Sequence, residues 1–440
     1  MQNSFIRMAS CAALLGCGIV LAGCGGGLAG LNPFKEKEIP LPGDRISIMK
    51  PQDALAVDSS AAKRPVSIPA PKANASWSQP GGTPGNAPGH LSLQGAGRTV
   101  WRASAGTGSS SDGRLTASPI VHGDRIYTLD AEGAVSAFST ANGDRAWRID
   151  LTPENEDSEE GFGGGLAFDN GKLIAVTGFG TVVGLNPASG EVLWKKSIGA
   201  PIRSSPTAAR GKVFFVTTDS RLYCLSTDTG AEVWTYRGLS GATSLLSNVS
   251  PAVSGDTLVV PFTSGDLIGY KISEGRPVWV DSLSRRRGGS ALAALSDPSR
   301  PVIEKDVVFA VGHSGRMIAI SAKTGARRWT ANVRGTQTPW VAGNSVFVVD
   351  INGKLMALSR DEGKVRWITD LPESSRWNGP TLAGGRLWLA SAAGLLVSVN
   401  PMSGKIIDQR DLNIPIYISP VVASGRMYIL SDKARLYAIN

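Results

Sequence analysis

Residues 205–234, SPTAARGKVFFVTTDSRLYCLSTDTGAEVW, decide the architecture of this chain. Four short runs follow one another: 205–209 (SPTAA), 212–217 (KVFFVT), 221–226 (RLYCLS) and 232–236 (EVWTY). Each is short and apolar or rich in β-branched and aromatic residues, which suits a strand and is too brief for a helix. Gly211 and Asp219-Ser220 break the runs, and Thr229-Gly230 supplies the last turn, where glycine tolerates positive φ. The stretch therefore reads as one four-stranded antiparallel sheet.

Working outward, the same unit recurs. A Gly-x-x-x-Trp element runs from Gly143 to Trp147, Gly190 to Trp194, Gly230 to Trp234, Gly275 to Trp279, Gly325 to Trp329 and Gly363 to Trp367. A degenerate seventh copy, Gly404 to Asp408, keeps the glycine and loses the tryptophan. Spacings from Trp147 onward are 47, 40, 45, 50, 38 and 41 residues. An opening dipeptide gives an independent count: Ser118-Pro119, a Pro-less equivalent near Leu166, Ser205-Pro206, Ser250-Pro251, Arg300-Pro301, Thr338-Pro339, Gly379-Pro380 and Ser419-Pro420. The two series keep step. A repeat of about 40–50 residues holding four strands is the signature of a propeller blade, because one such sheet exposes two faces that only its neighbours can cover.

Eight opening elements face seven closing elements, and the chain stops at Asn440 inside a third strand. Residues 98–103 (RTVWRA) have the pattern of the missing outer strand, and Trp101 lies 46 residues before Trp147. The expected fold is all-β: an eight-bladed β-propeller of four-stranded antiparallel blades over 98–440, its last blade closed by the N-terminal strand. Closure of this kind removes the open sheet edge. In each unit the outer-strand tryptophan (Trp101, Trp147, Trp194, Trp234, Trp279, Trp329, Trp367) is expected to fill the wedge between blades, with its N–H on a neighbouring carbonyl.

Composition agrees. The 440 residues are 42% hydrophobic and 18% charged, which excludes global disorder, and 53 Gly with 26 Pro favour turns over long helices. A net charge of +9 is too diluted to imply a nucleic-acid stripe.

Residues 1–24 carry Arg7, an uncharged run from Met8 to Leu21, and Leu21-Ala22-Gly23-Cys24. This reads as an export signal, the run being too short to span a bilayer comfortably. It resembles a lipobox, which implies acylation of Cys24; Gly25 in place of Asp after it implies the outer membrane, facing the periplasm. Cys11 and Cys17 leave with the signal, so Cys224 is the one cysteine of the folded part, expected as a buried inert thiol. Residues 25–97 are rich in Gly, Pro, Ala and Ser without a sustained period and read as a flexible tether of roughly 45 Å. Within it, residues 39–49 alternate apolar positions and read first as a short apolar stretch of linker, with a pattern also able to add as a strand to a partner's sheet edge.

Chemistry-bearing constellations are sparse. His90, His122 and His313 lack metal-ligand spacing and read as ordinary loop or surface histidines. The acidic run at 154–160 is one connector. Residues 161–165 (GFGGG) open a strand rather than a helix and lack the lysine of a phosphate loop. Arg285-Arg286-Arg287 is a compact positive patch suited to an acidic partner or simply to solvent.

Units such as 315–329 (GRMIAISAKTGARRW) resemble the PQQ-type propeller repeat of quinoprotein dehydrogenases. That resemblance raises a periplasmic PQQ-dependent dehydrogenase as the rival reading. The vicinal cysteines of those enzymes are missing here, and no acidic cluster converges for calcium. With the lipobox and tether, the chain is more similar to the BamB family of outer-membrane lipoproteins. That implies no cofactor and no catalysis, and a scaffold subunit of the β-barrel assembly (BAM) complex. Its expected partners are the BamA POTRA domains and nascent outer-membrane proteins.

The longest connectors from an outer strand to the next inner strand are those after Trp279, Trp147, Trp101 and Trp234. Two of them, 237–250 and 280–300, are neighbours in the ring and resemble the family's partner-binding loops. Leu245 keeps an apolar position, Leu246 stands for an Arg and Thr243 for a Leu. Leu295-Ser296-Asp297 resembles the acidic stretch of the second loop, although Pro298 follows. The resemblance implies partner binding by Thr243, Leu245, Leu246, Leu295 and Asp297.

Overall fold

The computed structural model describes residues 55–95, 97–111, 113–238, 249–284, 298–372 and 376–440. Among them are eight antiparallel sheets that follow the chain as blades. The inner strands of blades 1 to 8 are Ile120–His122, Gly164–Asp169, Thr207–Ala209, Ala252–Ser254, Val302–Glu304, Trp340–Ala342, Trp377–Ala383 and Val421–Ala423. Blade 3 shows the anticipated unit: Thr207–Ala209, Lys212–Val216, Arg221–Ser226 and Glu232–Arg237. Second and third strands are apolar on both sides, as in Val307–Gly312, all of it buried, because each blade is covered by two neighbours. Outer strands alternate instead, as in Glu232–Arg237, since their far edge meets solvent. Buried clusters lie between successive blades; one joins Tyr127 and Leu129 of blade 1 to Leu166, Leu173 and Val183 of blade 2. Each such side chain contributes roughly 1.5–3 kcal/mol on burial.

The tryptophans join the blades. Nε1 of Trp147 donates to the Pro187 carbonyl at 3.0 Å, Trp194 to Thr227 at 3.0 Å, Trp234 to Ile272 at 3.0 Å and Trp279 to Ala322 at 2.8 Å. Trp329 reaches Arg360 at 2.7 Å, Trp367 reaches Pro401 at 3.1 Å, and Trp101 reaches Thr140 at 3.1 Å. Each acceptor lies in the turn before the outer strand of the next blade. The glycine of that turn lies under the ring: Gly230, at φ +70°, faces Trp194 so closely that a Cβ would collide with it. Glycine and tryptophan of the Gly-x-x-x-Trp element thus belong to two successive joints.

The ring closes as expected. Thr99–Ser104 pairs antiparallel with Arg435–Ile439, Trp101 opposite Ala438, with the same outer-strand bulge that the other blades show. The missing eighth tryptophan now has a reason. Blade 8 is split between the chain's two ends and has no turn there to receive one. Asp408 occupies the position, and Arg410, two residues on, donates to the Gly97 carbonyl instead. Asn440 and Arg98 exchange backbone hydrogen bonds at 2.9 and 2.7 Å beside it.

Residues 55–95 differ from the flexible tether expected of them. Asp58 caps a short helix, Ser59–Ala62, and its N–H donates to the Val365 carbonyl on blade 6 at 2.9 Å. From Asn74 onward the segment visits the inner strands in ring order. Asn74 meets Val422 and Ser424 of blade 8, and Ser76–Trp77 pairs with Val121 and His122 of blade 1. The Ser78 carbonyl accepts from Phe168 of blade 2 at 2.8 Å, and the Gln79 amide bridges Phe168 and Ala208, the latter in blade 3. Pro84 and Gly85 carbonyls accept from Val253 of blade 4 and Ile303 of blade 5 at 2.7 and 2.8 Å. Trp340 of blade 6 donates to Gly89, and Leu91 exchanges backbone bonds with Leu382 and Gly384 of blade 7. The segment closes the axis at the end where inner strands turn into second strands.

Magnitudes rank these contacts. The bidentate Arg64–Glu362 pair, at 2.6 and 3.0 Å, is exposed at the surface, where such pairs contribute little. Gln79, 1% exposed, satisfies a buried N–H and two buried carbonyls. Losing those partners costs the full desolvation of each group. His90 is buried rather than at a surface: Nδ1 donates to the Pro69 carbonyl at 2.7 Å and Nε2 accepts from Gly385 N–H at 2.9 Å. Cys224 is buried between blades 3 and 4, and burial pushes its thiol up to about 12.

Three outcomes follow for unfolding measurements. Trp279→Phe, which strands the Ala322 carbonyl, lowers unfolding free energy in urea by about 1–3 kcal/mol. Gln79→Ala lowers it by about 2–4 kcal/mol although it lies outside the repeats. Iodoacetamide leaves Cys224 unlabelled in the native protein at pH 8 and labels it after unfolding, read by peptide mass spectrometry. Because the folded thiol is raised above the ordinary 9.0, its contribution is complete below that pH and declines as pH climbs toward about 12.

Candidate binding face

At the end of the axis opposite the plug lies a funnel of about 640 Å³, with Trp77 and Pro80 of the plugging segment among its walls. Four residues that open inner strands converge there, Ser118, Arg300, Thr338 and Ser419, and Asn378 lines the same space. Their convergence follows from cyclic repetition, since equivalent positions of all blades approach the axis. Ser118 and Asn378 are buried; Asn378 Nδ2 donates to the Ile416 carbonyl at 2.9 Å.

Arg300 breaks the pattern. It stands where most other blades carry Ser or Thr, and burial lowers its guanidinium from the usual range to about 10, so it stays charged at neutral pH. Arg114 and Arg376 are the other arginines of the wall, with His313. Arg376 lies 6.0 Å from the Tyr417 ring centroid. Among the described residues one carboxylate, Asp432, lines the same space and accepts from Ser109 Oγ at 2.5 Å. The sequence reading counted Arg300-Pro301 as a repeat marker and passed over its charge; the signal was an Arg in a Ser/Thr column.

The funnel bears on the quinone reading. A calcium site needs six to eight converging oxygens. Among the described residues no group of three or more His, Cys, Asp or Glu is arranged to hold a metal, and the wall offers a single carboxylate amid three arginines. Cys224, deep between two blades, is no substitute for a thiol pair at the axis. The donor set of the described residues does not fit a calcium–quinone pair.

The expected partner-binding residues fall elsewhere. Thr243, Leu245 and Leu246 lie within 239–248, and Leu295 and Asp297 within 285–297, both outside the described residues, as are Arg285-Arg286-Arg287, Cys24 and residues 39–49. What is described is where these loops are rooted. Arg237 and Ser282 end the outer strands of blades 3 and 4, and Val249 and Arg300, beyond the two loops, both line the funnel. The tryptophans Trp101, Trp147, Trp194, Trp234, Trp279, Trp329 and Trp367 stand at the blade joints. The acidic run ends in a one-turn 3-10 helix, Ser158–Gly161. Among the described residues no helix is long and apolar enough to cross a membrane.

Comparison with known proteins agrees with this frame. The family model described as "Outer membrane protein assembly factor BamB" matches residues 91–160 and 131–369. A protein of that name from Yersinia pestis is 25% identical over 349 residues, covering 78% of this chain and 88% of the relative. Among solved structures, BamB from Moraxella catarrhalis superposes with a TM-score of 0.66 at 18% identity, covering 78% of this chain and 98% of that one. Quinohemoprotein alcohol dehydrogenase from Comamonas testosteroni reaches 0.67 at 12% identity, covering 86% and 83%, a likeness of fold alone. The family model spans more than half the chain, between residues 91 and 369, and on that ground the chain belongs to the BamB family of outer membrane protein assembly factors.

Proposed function

We propose that this protein is a non-catalytic lipoprotein scaffold subunit of the outer-membrane β-barrel assembly complex, binding the POTRA domains of BamA and assisting the folding and insertion of outer-membrane proteins. Membership of the BamB family is the observation that carries the reading. Cys24, in its lipobox, holds the protein by lipid to the outer membrane, facing the periplasm. Loops 239–248 and 285–297 present Leu245 and Leu295 as apolar anchors, with Asp297 as an orienting charge and Thr243 and Leu246 beside them. Interfaces draw most of their affinity from a few such residues. Support comes from the rooting of both loops in adjacent blades at one rim, which spares a partner the cost of ordering two independent supports.

Nascent barrel strands are held at the outer strands, whose free edges can accept another strand. Val192, Leu193, Val233, Val278, Val280, Ile406 and Ile407 are exposed there, which supports this part of the reading.

Affinity purification from mildly solubilised envelopes tests it: the lipidated protein retains BamA, and recovery without BamA under conditions that keep the complex intact overturns the assignment. Leu245→Ala combined with Asp297→Ala lowers BamA recovery at least about tenfold while the melting temperature holds. A parallel fall in melting temperature assigns those side chains to folding instead.

A further inference from the structure

The plugged face of the propeller is uneven in charge. A four-stranded antiparallel blade brings its first and third turns to one face, here the face that residues 74–91 close. In each of blades 1 to 6 these two turns, with the strand ends that flank them, carry two carboxylates, as Asp124 and Asp144 do in blade 1 and Asp361 and Glu362 in blade 6. Several are paired with neighbouring cations, Glu362 with Arg64 and Asp228 with Lys172 among them. The same positions of blades 7 and 8 have none. Their turns hold Arg386, Lys405 and Arg426, and Arg98 leads into the strand that closes blade 8. The covering segment adds Lys72. Its backbone bonds to His90 and Ser92, the His90 ring accepts from Gly385 N–H, and Gln94 donates to the Gly425 carbonyl at 2.8 Å, so the segment lies across the turns of Arg386 and Arg426. Lys72, Arg98 and Lys405 are exposed; Arg386 and Arg426 are half-buried. Arg426 donates to Asn440 Oδ1 at 2.9 Å and to the Thr140 carbonyl at 2.7 Å, both uncharged. Among the described residues no carboxylate side chain pairs with any of the five.

Apolar side chains are exposed at the same corner. Outer strands start on this face, and Met402, Ile406 and Ile407 of blade 7 and Val100 of blade 8 stand in solvent there. The two blades meet where Arg410 reaches the Gly97 carbonyl. On blade 6 the matching positions, Val365 and Arg366, are buried under the chain's own residues 58–65. The first carboxylate along the blade 7 strand is Asp408, in the tryptophan's place. Unpaired cations beside exposed aliphatic groups suit a membrane interface, where phosphates neutralise the charge and the aliphatic groups enter the headgroup layer. We propose that this corner of blades 7 and 8 lies against an anionic phospholipid surface. Cations spread over separate turns and a covering segment match a fluid array of phosphates better than one fixed set of carboxylates. The inference rests on the reading of the protein as membrane-held and adds its orientation: the loops of blades 3 and 4, on the other face and across the ring, point away from the lipid.

The test uses the protein isolated from membranes and reconstituted into vesicles that contain brominated phospholipid. A bimane label on Met402→Cys reports lipid contact through quenching, and the same label on Val233→Cys, exposed on blade 3 across the ring, is the control. With about 30% phosphatidylglycerol, quenching at 402 exceeds that at 233 at least about fivefold, and it falls at least about fivefold in phosphatidylcholine alone or in about 1 M salt. Lys72→Glu, Arg386→Glu and Lys405→Glu combined abolish it at an unchanged melting temperature, whereas Lys72→Arg with Lys405→Arg keeps it. Where the triple variant fails to fold, Lys72→Gln with Lys405→Gln, both at exposed positions, lowers quenching at least about twofold. No quenching at 402, equal quenching at both positions, persistence in neutral vesicles, or indifference to every folded charge variant overturns the proposal. A label at 402 that vesicles leave unquenched but intact envelopes shield from a soluble quencher gives the corner to a protein partner and overturns it too. The vesicles hold no BamA, so BamA recovery is a separate readout. Flotation of the protein with neutral vesicles reads the lipid anchor; its loss counts against the membrane-held reading, while quenching in anionic vesicles still decides this one.

Discussion

A four-stranded blade cannot bury either of its faces alone, and the joint that resolves this is the tryptophan of one outer strand donating its N–H into the turn of the next blade. The joint demands three things at once: a large ring to fill the wedge, a carbonyl aimed at its nitrogen, and a residue without Cβ beneath it. Ring and glycine sit in one short sequence element but serve opposite sides of the blade, so each of the six complete repeats is both plug and socket. Hydrophobic contact between Val-, Ile- and Leu-rich strands supplies most of the stabilisation. The tryptophan joint adds direction, fixing the angle at which one sheet follows the last.

A ring of eight blades joined in this way would leave a hole along the axis, where the inner strands diverge least but still present backbone groups toward the channel. Residues 74–91 answer those groups one blade at a time. The plug is made mostly of backbone and of short amides, Asn74, Gln79 and Asn86, because a passage between eight strand ends admits little more. At the opposite end, Val249 and Arg300, which follow the loops of blades 3 and 4, share one rim with Arg376 and Arg114. The two loops proposed to bind a partner are therefore rooted on the side of the propeller away from the plug.

The architecture was legible because its determinants are local and repeated: a turn glycine, a tryptophan four residues later, an X-Pro step, and strands of five or six residues. The N-terminal closing strand could be placed because Trp101 is a member of that series. The plug was not legible. Its composition is that of a linker, it has no period, and its partners are backbone groups contributed by residues as far away as Leu382 and Val422, which no sequence pattern marks. His90 reads as a loop residue for the same reason, since the groups that hold it, the Pro69 carbonyl and the Gly385 N–H, carry no side-chain signature. Arg300 was visible as a letter and invisible as a charge, because it occupied a position already explained by the repeat.

The split eighth blade has a consequence for biogenesis. Synthesis proceeds from the N-terminus, and the strand that completes the circle, Thr99–Ser104, is made before blades 1 to 7 while its neighbour Arg435–Ile439 is made after them. The axial segment likewise precedes every blade it touches. Blades 1 to 7 can stack as they emerge, but the strand Thr99–Ser104 must wait, without its partner, until Arg435–Ile439 has been made. Locking is therefore a single event that only an intact polypeptide can reach, and a truncated product lacking its final strand leaves both the seam and the axis unfinished.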